Sequence, residues 1–425
     1  MLVRVIGAGL AGVEAAYYLA NNNVKVELYE MRPQKFTEAH QTPLFAELVC
    51  SNSLRSSDSL NAVGMLKDEL VMLKSLVMEA ALKTKVEAGS SLAVDRTLFS
   101  TYITGKLIFH PNIKVIHEEV TKIDVDIPTI IATGPLISEP LRNHLKTLLN
   151  LDELHFYDAV APIIEESSIN KDVCYLKSRY DKGEAAYLNC PMTYEQYKAF
   201  YEALINAEVA PLKDFEQNVF EGCLPIEVMA KRGFNTLTYG PLKPVGLEMD
   251  TKPYAVVQLR QDDALKTMYN LVGFQTNLKF GEQRKLIRMI PGLENATILR
   301  YGVMHQNTYF NSPKVLNSIY QVKALPNVFI AGQLSGVEGY VESASSGLSC
   351  GYHMLRHLKN LEPKPFPDTT IIGSLAKYIA TPNTKFNPMN ANLGLLPLLP
   401  PHKKKEKRML LKARSETDLK EYLNG

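Results

Sequence analysis

The first 33 residues, MLVRVIGAGLAGVEAAYYLANNNVKVELYEMRP (1–33), decide the fold of this chain. Residues 2–6 are apolar and predict a strand, and the loop GAGLAG (7–12) leads into an alanine-rich stretch that predicts a helix. Residues 24–29 predict a second strand, which finishes at Glu30. This order of strand, glycine loop, helix, strand and acidic residue is typical of a dinucleotide-binding fold.

The residues of the loop have distinct roles in that pattern. Gly7 permits the tight turn, Gly9 lets the backbone approach a pyrophosphate, and Gly12 lets the helix pack closely on the strands. Free N–H groups at the helix start attract phosphates, and Glu30 stands where a carboxylate binds a ribose hydroxyl. The predicted cofactor contacts here are Gly7, Ala8, Gly9, Leu10, Ala11, Gly12, Glu30, Met31 and Arg32.

Two distant segments favour FAD as the dinucleotide. TIIATG (129–134) and NVFIAG (327–332) are short apolar strands that end in small-residue turns, and a helical stretch from about Val341 follows the second. These elements resemble FAD proteins of the glutathione-reductase type, in which the late helix directs its N-terminus at the flavin and stabilises the reduced anion. Many such proteins carry aspartate where this chain has Gln333. The resemblance adds Gly134, Gly332, Gln333, Gly336 and Glu342 to the predicted cofactor contacts.

The predicted fold class is α/β, with a discontinuous FAD-binding Rossmann-like domain of the glutathione-reductase type and an inserted α+β domain. We assign residues 1–180 and 320–425 to the FAD-binding domain, and residues 181–319 to an inserted substrate or RNA domain. The inserted part combines a helical pattern at 194–207 with short strand patterns at 255–259 and 270–274. It contains no second GxGxxG motif, so NADH or NADPH, as the reductant of the flavin, is expected to dock transiently.

Composition narrows the class of protein. The formal net charge of +2 over 425 residues does not by itself indicate nucleic-acid binding. No apolar run is long enough to span a bilayer and no signal-peptide pattern is present, so we expect a cytoplasmic protein without a membrane partner. The five cysteines are odd in number and contain no CxxC motif, which disfavours both a disulfide framework and a metal site.

Two cysteines stand in segments that suit a reactive thiol. Cys50 lies in FAELVCSNSLR (45–55), where the polar residues and the arginine that follow can lower a thiol pKa. Cys223 lies in the turn EGCLP (221–225). A lone cytosolic cysteine is otherwise more often inert packing. The cluster Asp95-Arg96 suits either a site or a surface ion pair, and so does the cluster around His305.

The basic run HKKKEKR (402–408) is the densest cluster of like charge in the chain. We interpret it as the solvated start of a helix, with a contact to RNA phosphates as the alternative.

Ordered segments along nearly the whole chain resemble the folate- and FAD-dependent tRNA (uracil-5-)-methyltransferases. They include VIGAGLAGVEAA, LYEMRP, FAELVCSNSLRS, LAVDR, SRYDKGEAAYLNCPMT, FEGCLPIEVMA, YGPLKPVGL, IRMIPGLENA, IAGQLSGVEGYVESASSGL and FNPMNANLGLLP. The resemblance implies methylation of a uridine at its 5-carbon, with the carbon from methylenetetrahydrofolate and the electrons from reduced FAD. Thiolate addition at the neighbouring 6-carbon would make the 5-carbon nucleophilic.

The resemblance also implies roles for single residues. Cys50 is expected to be the nucleophile and Cys223 to lie near the flavin, with the reverse assignment left open. His305 and Asn307 are expected at the folate or substrate. Leu242, Asp263 and Gln306 depart from the family pattern, which bears on the RNA substrate more than on the cofactor chemistry.

The tRNA T-loop is the expected target, and large-subunit ribosomal RNA is the alternative. Three further possibilities are a wobble-uridine modifying flavoprotein of the related larger family, a flavin-bearing RNA chaperone without turnover, and a flavin oxidoreductase of small molecules. The sequence predicts no oligomeric state.

Overall fold

The computed structural model describes residues 1–150, 153–181, 184–211, 224–249, 252–384 and 386–424, without the side chains of residues 153–158, 305 and 306. The strands of the described residues are β1 (Leu2–Ile6), β2 (Lys25–Glu30), β3 (Ser53–Ser56), β4 (Lys85–Val86), β5 (Ser91–Val94), β6 (Ile113–His117), β7 (Thr129–Ile131), β8 (Glu153–Ala159), β9 (Ile163–Glu165), β10 (Tyr175–Leu176), β11 (Tyr187–Met192), β12 (Ala255–Gln261), β13 (Met268–Leu271), β14 (Ile298–Arg300), β15 (Met304–Phe310), β16 (Gln321–Val322) and β17 (Leu325–Ile330).

The α-helices of the same residues are α1 (Leu10–Asn21), α2 (Ala62–Met72), α3 (Leu76–Lys83), α4 (Arg96–Ile108), α5 (Glu139–Leu149), α6 (Tyr194–Ile205), α7 (Ile226–Lys231), α8 (Thr236–Tyr239), α9 (Phe280–Ile287), α10 (Ser312–Val315), α11 (Tyr340–Leu358), α12 (Ile371–Ala380) and α13 (Lys407–Asn424).

The first sheet has the order β16-β17-β7-β1-β2-β6, and all of its pairs except β16–β17 are parallel. The central strand β7 is buried at every residue, whereas the neighbouring β1 is apolar except at Arg4, which pairs with Glu27 of β2 at 3.3 Å. Helix α1 lies against α11 so closely that a Cβ on Gly347 would stand 2.0 Å from the carbonyl oxygen of Ala11. This contact explains the run of small residues in α11. The order of the strands in this sheet confirms the discontinuous α/β fold predicted from the sequence.

The second sheet has the order β10-β11-β12-β13-β9-β14 and is antiparallel, with its own apolar core. Its strands β9 and β10 precede residue 181, so the boundary predicted there falls inside this sheet. The predicted helix at 194–207 is α6, which Thr193 and Gln196 begin with a capping box. The strand pattern predicted at 270–274 ends earlier, at Leu271, because the chain turns at Gly273 with a φ of +75°.

Two buried glutamates tie helices to the first core. The Glu69 carboxylate of α2 accepts hydrogen bonds from the Ile371 and Ile372 N–H groups at 2.7 and 2.8 Å and from the Ser415 hydroxyl at 2.6 Å. It thereby caps α12 and fastens α13. Burial raises the pKa of Glu69 to about 7, although these hydrogen bonds lower it. Glu14 caps α3 in the same manner, and burial likewise raises its pKa to about 7.

The part of the chain that the structure describes contains neither a candidate membrane-spanning helix nor a candidate metal site. None of its helices is both long enough and apolar enough to cross a membrane. Likewise, no three of the described histidine, cysteine, aspartate and glutamate side chains come together as metal ligands would.

Candidate active site

A cavity of about 400 Å³ opens at the carboxyl ends of the parallel strands, the edge at which α/β sheets bind dinucleotides. The glycine loop forms its floor, and α11 begins at its wall. The residues predicted from the sequence that line it are Gly7, Gly9, Leu10, Ala11, Glu30, Met31, Arg32, Cys50, Gly134, Asn307, Gly332 and Gln333.

Gly9 and Gly12 serve different purposes in this floor. A Cβ on Gly12 would stand 1.8 Å from the carbonyl oxygen of Gly7, so only glycine lets α1 approach the turn. A Cβ on Gly9 would meet no atom within 4 Å, because this position faces the open cavity. Gly12 is therefore required by the fold, while the open space at Gly9 suits the close approach of a phosphate.

Glu30 ends β2 at one end of the cavity and is held by a buried network. Its carboxylate accepts from the Ala8 N–H at 3.0 Å and from Arg32 Nε at 2.9 Å. Burial alone would raise the pKa of Glu30, but the hydrogen bond and charge of Arg32 outweigh it and lower the pKa. Arg32 also pairs with Glu47 at 3.1 Å. Glu30 is therefore an ionised acceptor at the position where the motif places a ribose-binding carboxylate.

The opposite end of the cavity lies between the turn after β17 and the start of α11. Gln333, which stands where aspartate is common, donates through Nε2 to both carboxylate oxygens of Glu338 at 2.9 Å. Both side chains line the cavity. Glu338 thus brings a carboxylate to this end of the cavity from five residues further along the chain.

Four predicted contacts do not line this cavity. Ala8 and Gly12 belong to the glycine loop but do not line the cavity. Gly336 packs against Phe386, since a Cβ on it would stand 2.4 Å from the ring. The Glu342 carboxylate forms an ion pair with Arg55 and accepts from the Ala391 N–H at 2.8 Å. Gly336 and Glu342 therefore position the turn and the helix that surround the cavity.

The cavity fits a bound dinucleotide in a further respect. Both amide atoms of Asn307 and the hydroxyl of Thr133 are buried, line the cavity, and have no hydrogen-bond partner among the described residues. A buried polar group without a partner is costly, roughly 1–3 kcal/mol. Two such side chains directed at one cavity suit a polar ligand that satisfies them. FAD would lie along the cavity from Glu30 to α11.

Cys50 lies at this α11 end, on the loop before β3. Its N–H and that of Ser51 donate to the Tyr340 hydroxyl oxygen at 2.8 and 3.1 Å, and its Sγ lies 3.6 Å from the carbonyl oxygen of Ala159. Among the described cysteines, Cys50 alone is partly exposed. Burial raises the pKa of Tyr340, and the nearby Cys50 raises it further, so this hydroxyl keeps its proton.

The second sheet holds the Cys50 loop in place. Arg96, at the start of α4, donates to the carbonyl oxygens of Leu48 and Cys50 and forms a bidentate ion pair with Asp262 at 2.7 and 3.1 Å. Burial lowers the pKa of Arg96, but the charge and hydrogen bond of Asp262 outweigh it, and the pKa is raised. Arg96 is therefore a fixed cation beside the thiol.

A second arginine completes this support. Arg260 of β12 donates to the Ser51 hydroxyl at 2.6 Å and to the Asn52 Oδ1 at 3.0 Å. Both residues directly after Cys50 are thus bound to a strand of the second sheet. The sequence indicated Asp95-Arg96 as a polar cluster but gave no indication of Tyr340, Arg260 and Asp262. These three residues lie 164 or more positions from Arg96 along the chain, and only the fold brings them near it.

Two predicted residues cannot be placed. Cys223 lies outside the described residues, and so does the side chain of His305. The backbone of His305 belongs to β15, which pairs with β8 and also carries Asn307.

The fold, the glycine loop and the cavity at the sheet edge define an FAD-binding protein with a glutathione-reductase-type fold. The family model described as glucose inhibited division protein A matches residues 2–362. The structure resembles that of GidA from Aquifex aeolicus, with a TM-score of 0.71 at 16% identity, over 99% of this chain and 73% of that one.

Curated relatives give the finer assignment. The chain is 59% identical to the methylenetetrahydrofolate--tRNA-(uracil-5-)-methyltransferase TrmFO of Acholeplasma laidlawii, over 100% of both chains. It is 60% identical to the protein of that name from Listeria monocytogenes, over 93% of this chain and 92% of the relative. The chain belongs to this methyltransferase family.

Proposed function

We propose that this chain transfers the one-carbon unit of methylenetetrahydrofolate to the 5-carbon of a uridine in the T-loop of tRNA. The observation that carries the proposal is the position of Cys50, whose loop opens into the same cavity as the dinucleotide-binding glycine loop. Identity of 59% over the full length of a relative named for this reaction supports it. The names of the relatives specify tRNA, so the ribosomal RNA alternative has no support from them.

The chemistry follows from the weakness of the uracil 5-carbon as a nucleophile. The Cys50 thiolate would add to the 6-carbon, and the electron pair of the double bond would pass to the 5-carbon, which then bonds to the methylene carbon of the folate. A base would remove the 5-proton as the nitrogen of tetrahydrofolate leaves the transferred carbon, which gives an exocyclic methylene with Cys50 still bonded to the 6-carbon. Addition of a hydride to that methylene would then expel the Cys50 thiolate and restore the 5,6 double bond. Reduced FAD, when bound, supplies the hydride that turns the exocyclic methylene into a methyl group.

The chain's own residues would prepare the thiol for this step. Arg96, held by its ion pair with Asp262, keeps the Cys50 loop in place through hydrogen bonds to the Leu48 and Cys50 carbonyl oxygens. The Tyr340 hydroxyl holds the backbone of Cys50 and Ser51. Asn307 offers an unpaired amide to the folate or the substrate. NADH or NADPH is the proposed reductant of the flavin, and the reducing cytoplasm, in which free thiols persist, is the proposed compartment.

A covalent trap tests the role of Cys50. A tRNA with 5-fluorouridine at the target position cannot lose its 5-substituent as a proton, so the thiol adduct accumulates. We expect the wild-type protein and the buried-cysteine control Cys350→Ala to form the adduct, and Cys50→Ala to retain FAD without forming it. An adduct formed by Cys50→Ala and abolished in Cys223→Ala would contradict this role and establish the reverse assignment.

A further inference from the structure

The basic run at the end of the chain, residues 402–408, lies on the surface and is firmly attached. We call it the C-terminal basic segment; its cations, all exposed, are Lys403, Lys404, Lys405, Lys407 and Arg408. It leads into α13, whose Leu411, Leu419 and Tyr422 are buried in the first core. The fold therefore holds the segment in a defined place.

The charges of this segment are not neutralised by the protein. Within the described part of the chain, none of its five cations forms an ion pair with a carboxylate, and Glu406 is the one acidic residue among them. Lys412, one turn into α13, by contrast pairs with Asp68 at 2.8 Å and with Glu416 at 3.4 Å. The segment thus presents five like charges to the solvent, and such a surface attracts a polyanion.

Contacts connect this segment to the edge of the cavity. Arg408 Nη1 lies 3.3 Å from Asn61 Oδ1, and Asn61 Nδ2 lies 3.1 Å from the Ser56 hydroxyl. Ser56 ends β3, and its neighbour Arg55 lines the cavity. Lys67, which is buried, donates to the Arg55 and Ser56 carbonyl oxygens at 3.3 and 2.6 Å and holds the end of β3 in place. The C-terminal basic segment is therefore in contact with the residues that end β3 at the edge of the cavity.

The edge of the cavity connects Cys50 with the C-terminal basic segment. Six positions separate Cys50 from Ser56, and they span at most about 20 Å even when fully extended. A polynucleotide whose target base lies at Cys50 can therefore continue along this edge and bring its phosphates toward the segment.

We infer that the C-terminal basic segment binds the phosphate backbone of the RNA substrate beside the target uridine. The inference rests on the proposed function for the position of the uridine, but it makes its own claim about RNA binding. The segment is an exposed helix start, as the sequence predicted, since α13 begins at Lys407 and the five cations are exposed. The inference adds a partner for charges that form no ion pair within the described part of the chain.

The test compares two triple variants with equal loss of charge. The first is Lys404→Gln, Lys405→Gln and Lys407→Gln. The matched control is Lys25→Gln, Lys114→Gln and Lys359→Gln. Lys25 and Lys114 stand near the amino ends of β2 and β6, opposite the cavity edge. Lys359 follows the end of α11, whose 19 residues extend about 28 Å from the cavity.

Binding of an unmodified tRNA transcript to the FAD-loaded proteins is measured at several salt concentrations. Plotted against the logarithm of the salt concentration, the logarithm of the association constant falls with a slope whose magnitude decreases by about 0.7–0.9 for each lost phosphate contact. We expect the first variant to bind tenfold or more weakly at 0.1 M salt, with a slope smaller by about 2, and the control to match the wild type. Equal affinity and slope in both variants would overturn the inference, as would preferential binding of the segment to anionic lipid vesicles.

Methylation, measured separately, distinguishes this inference from the proposed function. A wild-type protein that binds tRNA through the segment but transfers no methyl group would refute the function and leave the inference standing. A wild type that methylates tRNA, with affinity and slope unaffected by the first variant, would refute the inference alone.

Discussion

Replacing Arg96 and Asp262 tests whether their ion pair supports the Cys50 loop. The pair is bidentate, at 2.7 and 3.1 Å, and the side chains are 14% and 1% exposed. Breaking one side of a buried pair costs about 3–5 kcal/mol, because the other charge is left buried without a partner. Arg96→Met also deprives the carbonyl oxygens of Leu48 and Cys50 of a donor. We therefore expect Arg96→Met to lower the free energy of unfolding by about 4 kcal/mol and Asp262→Asn by about 3 kcal/mol.

The double variant gives the diagnostic quantity. Once one charge of the pair is gone, the other is buried without a partner, and replacing it removes that cost. The double variant should therefore be at least about 2 kcal/mol more stable than the sum of the two single-variant losses predicts. Urea unfolding of the FAD-loaded proteins measures this coupling. The exposed pair Lys266–Glu87, at 2.9 Å, is the control, with a coupling of at most about 1 kcal/mol. Additive single effects at Arg96 and Asp262 would refute the reasoning.

Three further predictions concern the cavity and the buried glutamates. Gly12→Ala should lower the free energy of unfolding by about 3 kcal/mol or more, as expected for an overpacked core. Gly9→Ala should leave the unfolding of the FAD-free protein unchanged but weaken FAD binding. Equal effects of the two variants on stability would contradict their separate roles. Asn307→Leu should keep or raise stability, because it removes unpaired buried atoms, yet weaken FAD or folate binding about tenfold; unchanged affinity for both ligands, measured by flavin and folate titration, would contradict this. Because burial raises the pKa of Glu69 to about 7, its stabilising contribution is complete below pH 4.5 and declines as the pH rises through 7, by up to roughly 3 kcal/mol. The stability difference between wild type and Glu69→Gln should therefore shrink from pH 5 to pH 8, and a constant difference in urea unfolding would contradict it.

The nucleotide-binding half of the fold could be predicted because its requirements are local. The tight turn, the helix start and the acidic residue at the end of β2 stand within 30 residues, and each restricts the residue type at its own position. The resemblance of 327–332 to flavin proteins likewise predicted the parallel strand β17 and the helix α11. Requirements of the local backbone can therefore be predicted from a single sequence.

The support of Cys50 could not be predicted in the same way. Arg96 of α4 meets Asp262, and Arg260 meets Ser51, only because the end of β12 in the second sheet packs against α4 and the Cys50 loop. A sequence pattern contains no measure of that packing. Glu342, at the start of α11, shows how position alone leaves a role open. Its Oε1 binds Arg55 and the Ala391 N–H, whereas its Oε2 is buried without a partner among the described residues, so the cofactor contact stays a prediction. The boundary at residue 181 was placed where the pattern changes to mixed helical stretches and short strands, whereas strand pairing puts β9 and β10 in the second sheet.

The transfer of labelled carbon tests the central claim most directly. The FAD-loaded protein is incubated with methylenetetrahydrofolate labelled in its one-carbon unit, NADPH, and unmodified tRNA or ribosomal RNA transcripts. We predict label in the 5-methyl group of a T-loop uridine of tRNA, none in ribosomal RNA, and none with Cys50→Ala. Label that appears only in ribosomal RNA, or tRNA that remains unlabelled by the wild-type protein, would contradict the proposed function.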